Sequence, residues 1–495
     1  TVDLGASASF NLNPNVTSRS SFGLQYNRRN AGSVAASGTN LPPGSSTLAG
    51  AATLSNSEQT VQNVVAGGYG EQTFGLWDRL FFTGAIRADG ASSFGRNFKT
   101  AIYPKASMSW LVSEEDFFPK GSFLSSLRYR AAFGSSGVQP DAIAALPRMQ
   151  FVTVFVNGAT ATGAQLQALG NPNLKPERIN EFETGLDANL FEDRVQVEAT
   201  VYYRKSSDAL VQRSMPRSIG ITGTGQLDNV GSVRNQGAEL SVRASVFEVA
   251  GVTFDLDVNG SVNSHKLLKL DASLRPPEDR FVKFVEGYPL FGQWDRKVKS
   301  WNDANNDGIL VADEVVVGDS IEFLGNTNPT KMLNVTPTFT LFDGRLKLSS
   351  LFVYRGDWIQ TNFSELNKCN IGGCRARNDP NAPLREQAAY VAFTKPGLTY
   401  AGYQEDGTFT RWAEASISYD LHDQFLQRIG LGVRRATITL SGRNLKLWTK
   451  YSGLDPEVAQ NPGLAGNFGT VWDLGYDNPV APQSRYWILR MTLGF

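Results

Sequence analysis

The chain has 495 residues, with 47 Lys+Arg against 47 Asp+Glu, 48 Gly, 2 Cys and 2 His. Zero net charge excludes a protein that holds nucleic acid by neutralising phosphates, and so few Cys and His exclude a zinc or iron–sulfur centre. With 41% hydrophobic and 11% aromatic residues the chain is not disordered, and no run approaches the ~20 apolar residues of a membrane helix.

A mean hydropathy of −0.24 remains compatible with a membrane β-barrel, whose strands alternate lipid-facing and lumen-facing residues. The chain opens TVDLGASASF, without the basic start and apolar segment of a signal peptide. No Pro- or Gly/Ser-rich linker divides it into domains.

Fifteen strands are predicted, over 2–12, 18–28, 61–74, 77–88, 102–112, 123–134, 181–190, 194–205, 236–247, 251–263, 332–342, 345–356, 410–421, 433–443 and 484–495. The period-2 signal is plainest from Val252 to Val262, where Val252, Phe254, Leu256, Val258, Gly260 and Val262 alternate with Thr253, Asp255, Asp257, Asn259 and Ser261. Residues 195–203 and 238–246 repeat it. Soluble sandwiches alternate too, but their strands centre on about 5–6 residues. A tilted strand needs about 10 to cross a bilayer, as these have.

Connections alternate in length. The short ones are NPNVT (13–17), GL (75–76), FEDR (191–194), FEVAG (247–251) and FDGR (342–345), with intermediate ones at 113–122 and 422–432. The long ones fill 29–60, 135–180, 206–235, 264–331, 357–409 and 444–483, and the modest loop 89–101 falls in that series by position. Short periplasmic turns and long extracellular loops belong to an outer-membrane barrel. Phe74, Trp77, Phe191, Phe247 and Phe342 beside the short turns, and Tyr203, Tyr354, Trp412 and Trp487 at the opposite ends, predict two interfacial girdles. The fold class is therefore all-β, a transmembrane antiparallel β-barrel with about fifteen strands in view.

The last strand, SRYWILRMTLGF, carries Trp487, Leu489, Met491, Leu493 and Phe495 on one face. Its terminal Phe resembles the assembly signal of outer-membrane proteins. With Phe495 periplasmic, fifteen alternating strands place Thr1 at the extracellular face. Bacterial single-chain barrels have even strand numbers, so the expectation is that at least one strand precedes Thr1.

Specific segments carry a family resemblance. NPNLKPERINEFETGL (Asn171–Leu186) resembles the NPxLKPE segment of TonB-dependent outer-membrane receptors. RADGASSF (Arg87–Phe94), YPKASMSWLVSEEDF (Tyr103–Phe117), LRYRAAFGSSG (Leu127–Gly137), NVGSVRNQGAEL (Asn229–Leu240) and GRNLKLWTKYSGLDPEV (Gly442–Val458) resemble ordered blocks of its SusC/RagA branch. The resemblance implies a barrel of 22 strands, with this chain as its C-terminal part. It also implies an N-terminal plug and TonB box, which this sequence does not contain. Members of the branch import glycans or peptides with a SusD-like surface lipoprotein as lid, energised by the TonB complex acting on the plug.

In loop 264–331, Asp303, Asn305, Asp307, Gly308 and Glu314 fit D-x-[DN]-x-[DN]-G-x5-E, with apolar Leu310 at position eight. Ca2+ takes about 6–8 oxygens. Asp303, Asn305, Asp307, the Ile309 carbonyl and Glu314 would supply most of them, and Gly308 permits the sharp turn. The flanking helices usual for such a loop are not evident, so a polar turn that binds nothing stays open beside a structural Ca2+ site. Cys369 and Cys374 share one surface loop, a compartment that permits a disulfide, and Gly372 and Gly373 make a tight ring feasible.

Catalytic signatures are missing. Gly220–Gly225 is no complete phosphate fingerprint, no GxSxG occurs, and Glu198, Asp255 and Asp257 read as walls of a wet lumen. His265 and His422 sit at strand edges as solvated groups. The chain is expected to be no enzyme but an outer-membrane importer, in contact with lipid and with no nucleic-acid partner. The competing readings are a passive pore or structural barrel, and a siderophore receptor. Aromatics on the long loops, among them Trp301, Trp358 and Trp448, are available to read cargo, and no single residue is singled out.

Overall fold

A computed structural model describes every residue except 120, 122, 214, 216, 220–224, 271–281, 291, 396–398, 423–425, 427–431, 459–475 and 478–480. Most of the Gly220–Gly225 stretch, most of the predicted connection 422–432 and half of the predicted final loop 444–483 therefore fall outside the described residues. One antiparallel sheet of fifteen strands dominates. In chain order these are β1 (Val2–Asn13), β2 (Val16–Thr39), β3 (Thr53–Leu76), β4 (Leu80–Ala91), β5 (Ala101–Leu111), β6 (Leu124–Val138), β7 (Glu177–Leu190), β8 (Val195–Arg213), β9 (Gln226–Val249), β10 (Val252–Leu270), β11 (Lys331–Leu341), β12 (Leu346–Gly356), β13 (Phe409–Asp420), β14 (Arg435–Thr449) and β15 (Tyr486–Gly494). Each pairs with its neighbours in sequence, a pure meander, and every predicted strand overlaps one of them.

The pleat sends alternate residues to opposite faces. One face carries apolar side chains left exposed, among them Leu24, Ile86, Leu186, Leu240, Val262 and Leu489. The other is polar and ion-paired. At the short-turn end Phe247, Phe254 and Phe339 stack across β9–β11, with centroids 5.6 and 4.4 Å apart. Trp77, Phe191 and Phe342 stand exposed at the same level, completing one girdle. At the other end Trp412 stacks on Phe352 at 5.9 Å, and Trp487 is exposed.

The short turns are built from left-handed residues. Phe191, Glu192 and Asp193, and likewise Phe342, Asp343 and Gly344, all have φ between 52° and 95°. Such backbone matches strand twist in tight hairpins and suits Asp and Gly. The expected Gly75–Leu76 turn moves to Trp77–Arg79, since β3 stays paired through Leu76–Leu80. Trp77 and Asp78 take the positive φ instead. Asp tolerates that conformation, and Gly75, facing Phe81 and Thr17, remains in the sheet.

Several predicted loops are shorter than expected. β2 and β3 each run 24 residues and stay paired out to Thr39–Thr53, so much of 29–60 is strand. β8 and β9 likewise consume much of 206–235, pairing out to Arg213–Gln226. A crossing needs only about 10 residues, so these hairpins project well beyond the membrane. There both faces are wet, and alternation, the signal used to find strands, disappears.

The loops at the far end fold on their own. Loop 138–177 carries the hairpin Arg148–Val156 with Ala159–Ala168. Loop 270–331 carries a small sheet of Val282–Lys283, Gly292–Asp295 and Glu322–Gly325, and a hairpin of Val298–Trp301 with Val315–Val317. Among the described residues, loop 356–409 holds three helices, α1 (Phe363–Asn370), α2 (Arg375–Asn378) and α3 (Leu384–Thr394). The side chain of Asn362 caps α1 by accepting from Glu365 N at 2.9 Å.

Candidate functional site: the loop cap and the polar wall

The hairpin of Val298–Trp301 and Val315–Val317 presents the acidic loop between its strands. Asp303 accepts from the amides of Asp307 (3.2 Å) and Gly308 (2.9 Å). Asp307 accepts from Ile309 N at 2.8 Å, and Asn305 Oδ1 accepts from Asp307 N at 3.1 Å. Gly308 sits at φ +79°, which glycine adopts without cost. The Glu314 carboxylate turns back to accept from Ala304 N (2.9 Å) and Val311 N (3.0 Å). One loop thus holds all five donors named from sequence, and no α-helix flanks it; a single 3-10 turn, Ala312–Glu314, closes it.

This loop is docked on α3. Leu310 is 4% exposed and packs with Val315, Ala388 and Ala392. The buried Gln387 amide donates to Gly308 O and accepts from Leu310 N, at 2.8 and 2.9 Å. It thereby brackets Ile309, whose carbonyl is the expected backbone ligand. Lys395 donates to the carbonyls of Ala312 and Val315. No sequence pattern singled out Gln387; a lone polar residue between apolar helix positions is the only trace it leaves.

Cys369 and Cys374 are joined to one another, both 1% exposed, in a core with Leu366, Ala389, Phe393 and Tyr403. Burial pushes the Tyr403 phenol above its ordinary range. The cap is stitched across loops: Tyr400 N donates to Asp295 at 2.7 Å, Thr399 to Arg296 O at 2.6 Å, and Thr361 to Gln293 at 3.1 Å. Asp477 accepts from Ser364 N at 2.9 Å, yet burial raises its carboxyl above the usual carboxylate range. Trp358 is buried, whereas Trp301 and Trp448 are exposed.

Two of the sequence blocks turn out to be staples. In NPNLKPE, Asn171 donates to Leu227 O at 3.0 Å, and Asn229 exchanges bonds with Lys175 N and O at 2.9 and 2.8 Å. Gly95 N and Asn97 N donate to the carbonyls of Leu174 and Pro172. A Cβ on Gly95 would come within 2.6 Å of Leu174 N. In GLDPEV, Asp455 takes two bonds from Arg411 Nη2, at 2.7 and 2.9 Å, and Glu457 lies 3.0 Å from Arg411 Nε. Arg411 and Asp455 side chains are only 7% and 4% exposed.

The polar face is a ladder of charge pairs. Asp187 receives Arg128 and Arg130, Glu181 receives Arg204, Asp89 receives Arg87, and Glu71 receives Lys105. Asp257 pairs loosely with Arg243 at 3.6 Å. Tyr69 and Tyr202 lie over Gly23 and Gly237 of the facing strands, aromatic rings covering gaps a glycine leaves. His265 rests against Leu290 O at 3.3 Å.

An apolar outer face, a polar inner face, tight turns at one end and folded loops at the other define the wall of an outer-membrane β-barrel. Residues 1–445 match the family model described as TonB dependent receptor-like, beta-barrel, and the chain belongs to that family, one of receptors and transporters rather than enzymes. It is 27% identical over 494 residues to TonB-dependent receptor P26 of Formosa agariphila, covering 89% of this chain and 48% of that protein. It is 29% identical over 481 residues to TonB-dependent receptor SusC of Bacteroides thetaiotaomicron, covering 88% and 45%. The solved RagAB peptide transporter superposes with a TM-score of 0.80 at 18% identity, over 100% of this chain and 55% of that one. The chain spans about half the length of the curated relatives it matches.

Proposed function

We propose that this chain supplies the barrel wall and surface loops of a TonB-energised outer-membrane importer of oligosaccharides or peptides. The supporting observation is family membership across residues 1–445, with a relative named SusC and the fold of a peptide transporter. β1 and β15 have a partner on one side only among the described residues. Lipid tolerates no open sheet edge, so further strands complete the barrel in this reading. A plug and TonB box then couple it to the TonB complex, and a SusD-like surface lipoprotein covers the cap. The first test is the intact mass of the polypeptide purified from outer membrane. A mass well above 54.0 kDa is expected; a mass equal to it favours a passive pore. Uptake of labelled oligosaccharides and peptides should stop in a gene deletion and on dissipating the proton gradient. Uptake that survives the uncoupler overturns energised import.

We also propose that Asp303, Asn305, Asp307, the Ile309 carbonyl and Glu314 hold a structural Ca2+. The oxygen-only donor set and the positive φ of Gly308 fit that hard cation. When bound, the ion would cross-link the loop beneath α3. EGTA should expose residues 298–317 to protease and Ca2+ should restore protection; unchanged cleavage refutes the site.

A further inference from the structure

The membrane-facing side of the sheet carries a groove of about 730 Å3 that the importer reading does not use. Its floor is Ala199, Ala238 and Gly260, and Leu186, Leu240 and Leu333 rise as its ridges. The register explains the shape. Leu186 faces Ala199, Ala199 faces Leu240, Leu240 faces Gly260, and Gly260 faces Leu333. Tall and short side chains therefore alternate across five strands in one continuous row.

The groove is polarised along its length. Its lower end is Tyr129 on β6, whose hydroxyl is already engaged by Thr184 at 3.0 Å. Its upper end, at the extracellular margin, is formed by Tyr354 and Lys331. Lys331 opens β11 and is half exposed, paired only loosely, among the described residues, with Asp357 at 3.8 Å. A cation thus sits where the headgroups of the outer leaflet lie, above a trough with no free polar group in its floor.

In a bilayer no hydrophobic force draws a lipid tail to a protein, because neighbouring tails are equally apolar; van der Waals fit and charge do the selecting. An Ala/Gly floor between leucine ridges supplies the fit, and Lys331 supplies the charge. We propose that this groove is a specific site for an anionic, phosphate-bearing lipid of the outer leaflet, its phosphate on Lys331 and an acyl chain lying over Ala199, Ala238 and Gly260.

A second apolar groove on the same face, of about 710 Å3 and including Ala6, Ala88 and Ile102, has no lysine or arginine in its lining. It serves as the internal control. The full-length receptor is purified from outer membranes in mild detergent, washed, and its retained lipid measured by phosphorus assay and native mass spectrometry. Wild type should retain a stoichiometric anionic lipid. Ala199→Leu/Ala238→Leu should abolish that retention, and Lys331→Gln should cut it about fivefold, the worth of one basic residue at a membrane surface. Ala6→Leu/Ala88→Leu should leave it unchanged. Heat-modifiable migration in gels checks that each variant is folded, and Lys331→Gln removes no packed apolar group. Equal retention in all variants, equal loss in the control pair, or a retained lipid without phosphate overturns the site.

Discussion

The wall and the cap solve opposite problems with one chain. In the wall, large apolar residues such as Leu24 (65% exposed) and Leu489 (74%) point outward, and polar groups turn inward to pair. In the cap the order is the ordinary one: Leu366, Cys369, Phe393 and Tyr403 are buried and charges such as Arg375–Glu386 lie outside. The wall's backbone is satisfied by its ladder and its outer face by lipid, so it needs no core. The cap stands in water and must build one, partly within loop 356–409 and partly by packing Ala388 and Ala392 of that loop on Leu310 and Val315 of the loop before it.

The contrast can be broken most severely where the two regions join. Asp455→Ala leaves Arg411 of β13 buried with Glu457 alone, and loss of one partner of a buried pair costs about 3–5 kcal/mol. Proteolysis of the cap should accelerate sharply and the barrel's melting midpoint should fall. A charge on the wrong face sharpens it next. Leu440→Arg, on the lipid face of β14, should cost about 2–4 kcal/mol, while Ile371→Arg, 84% exposed in the cap, should stay within about 0.5 kcal/mol. Equal costs would mean that Leu440 does not face lipid.

Gln387→Leu strips partners from Leu310 N and Gly308 O, costing about 2–3 kcal/mol. It should free residues 298–317 for cleavage with the wall's melting unchanged. The smallest effect is expected from reducing Cys369–Cys374, a tight ring worth about 2 kcal/mol on chain-entropy grounds. Labelling should find no thiol without reductant, and reductant should shorten the cap's protease half-life only.

Sequence reading succeeds where one physical rule repeats. Val252–Val262 alternates because one face meets lipid and the other the lumen, so all fifteen strands could be placed. It fails where that condition lapses: Asn30–Thr39 and Thr53–Gln62 pair as strands in water, with no periodic signature. That Asp303, Asn305, Asp307 and Glu314 gather in one turn was readable because local hydrogen bonds dictate their spacing. Gln387 and Arg411 were not, since their partners lie 77 and 44 residues away and nothing local reports such pairing. The helices α1–α3 were likewise invisible within a stretch read as loop, being 8, 4 and 11 residues long.

The NPNLKPE staple has a consequence for how such proteins diversify. Asn171 and Lys175 are pinned to β9, and Leu174 to the 95–97 loop, just after the hairpin Arg148–Ala168 ends. That hairpin, with Phe151 and Phe155 largely exposed, has no strand partner outside itself among the described residues. Its stem is anchored independently of its tip, so the tip is a cassette. Insertions, deletions or a grafted epitope between Val156 and Ala159 should leave the wall's register untouched, giving evolution and the protein engineer the same port of entry.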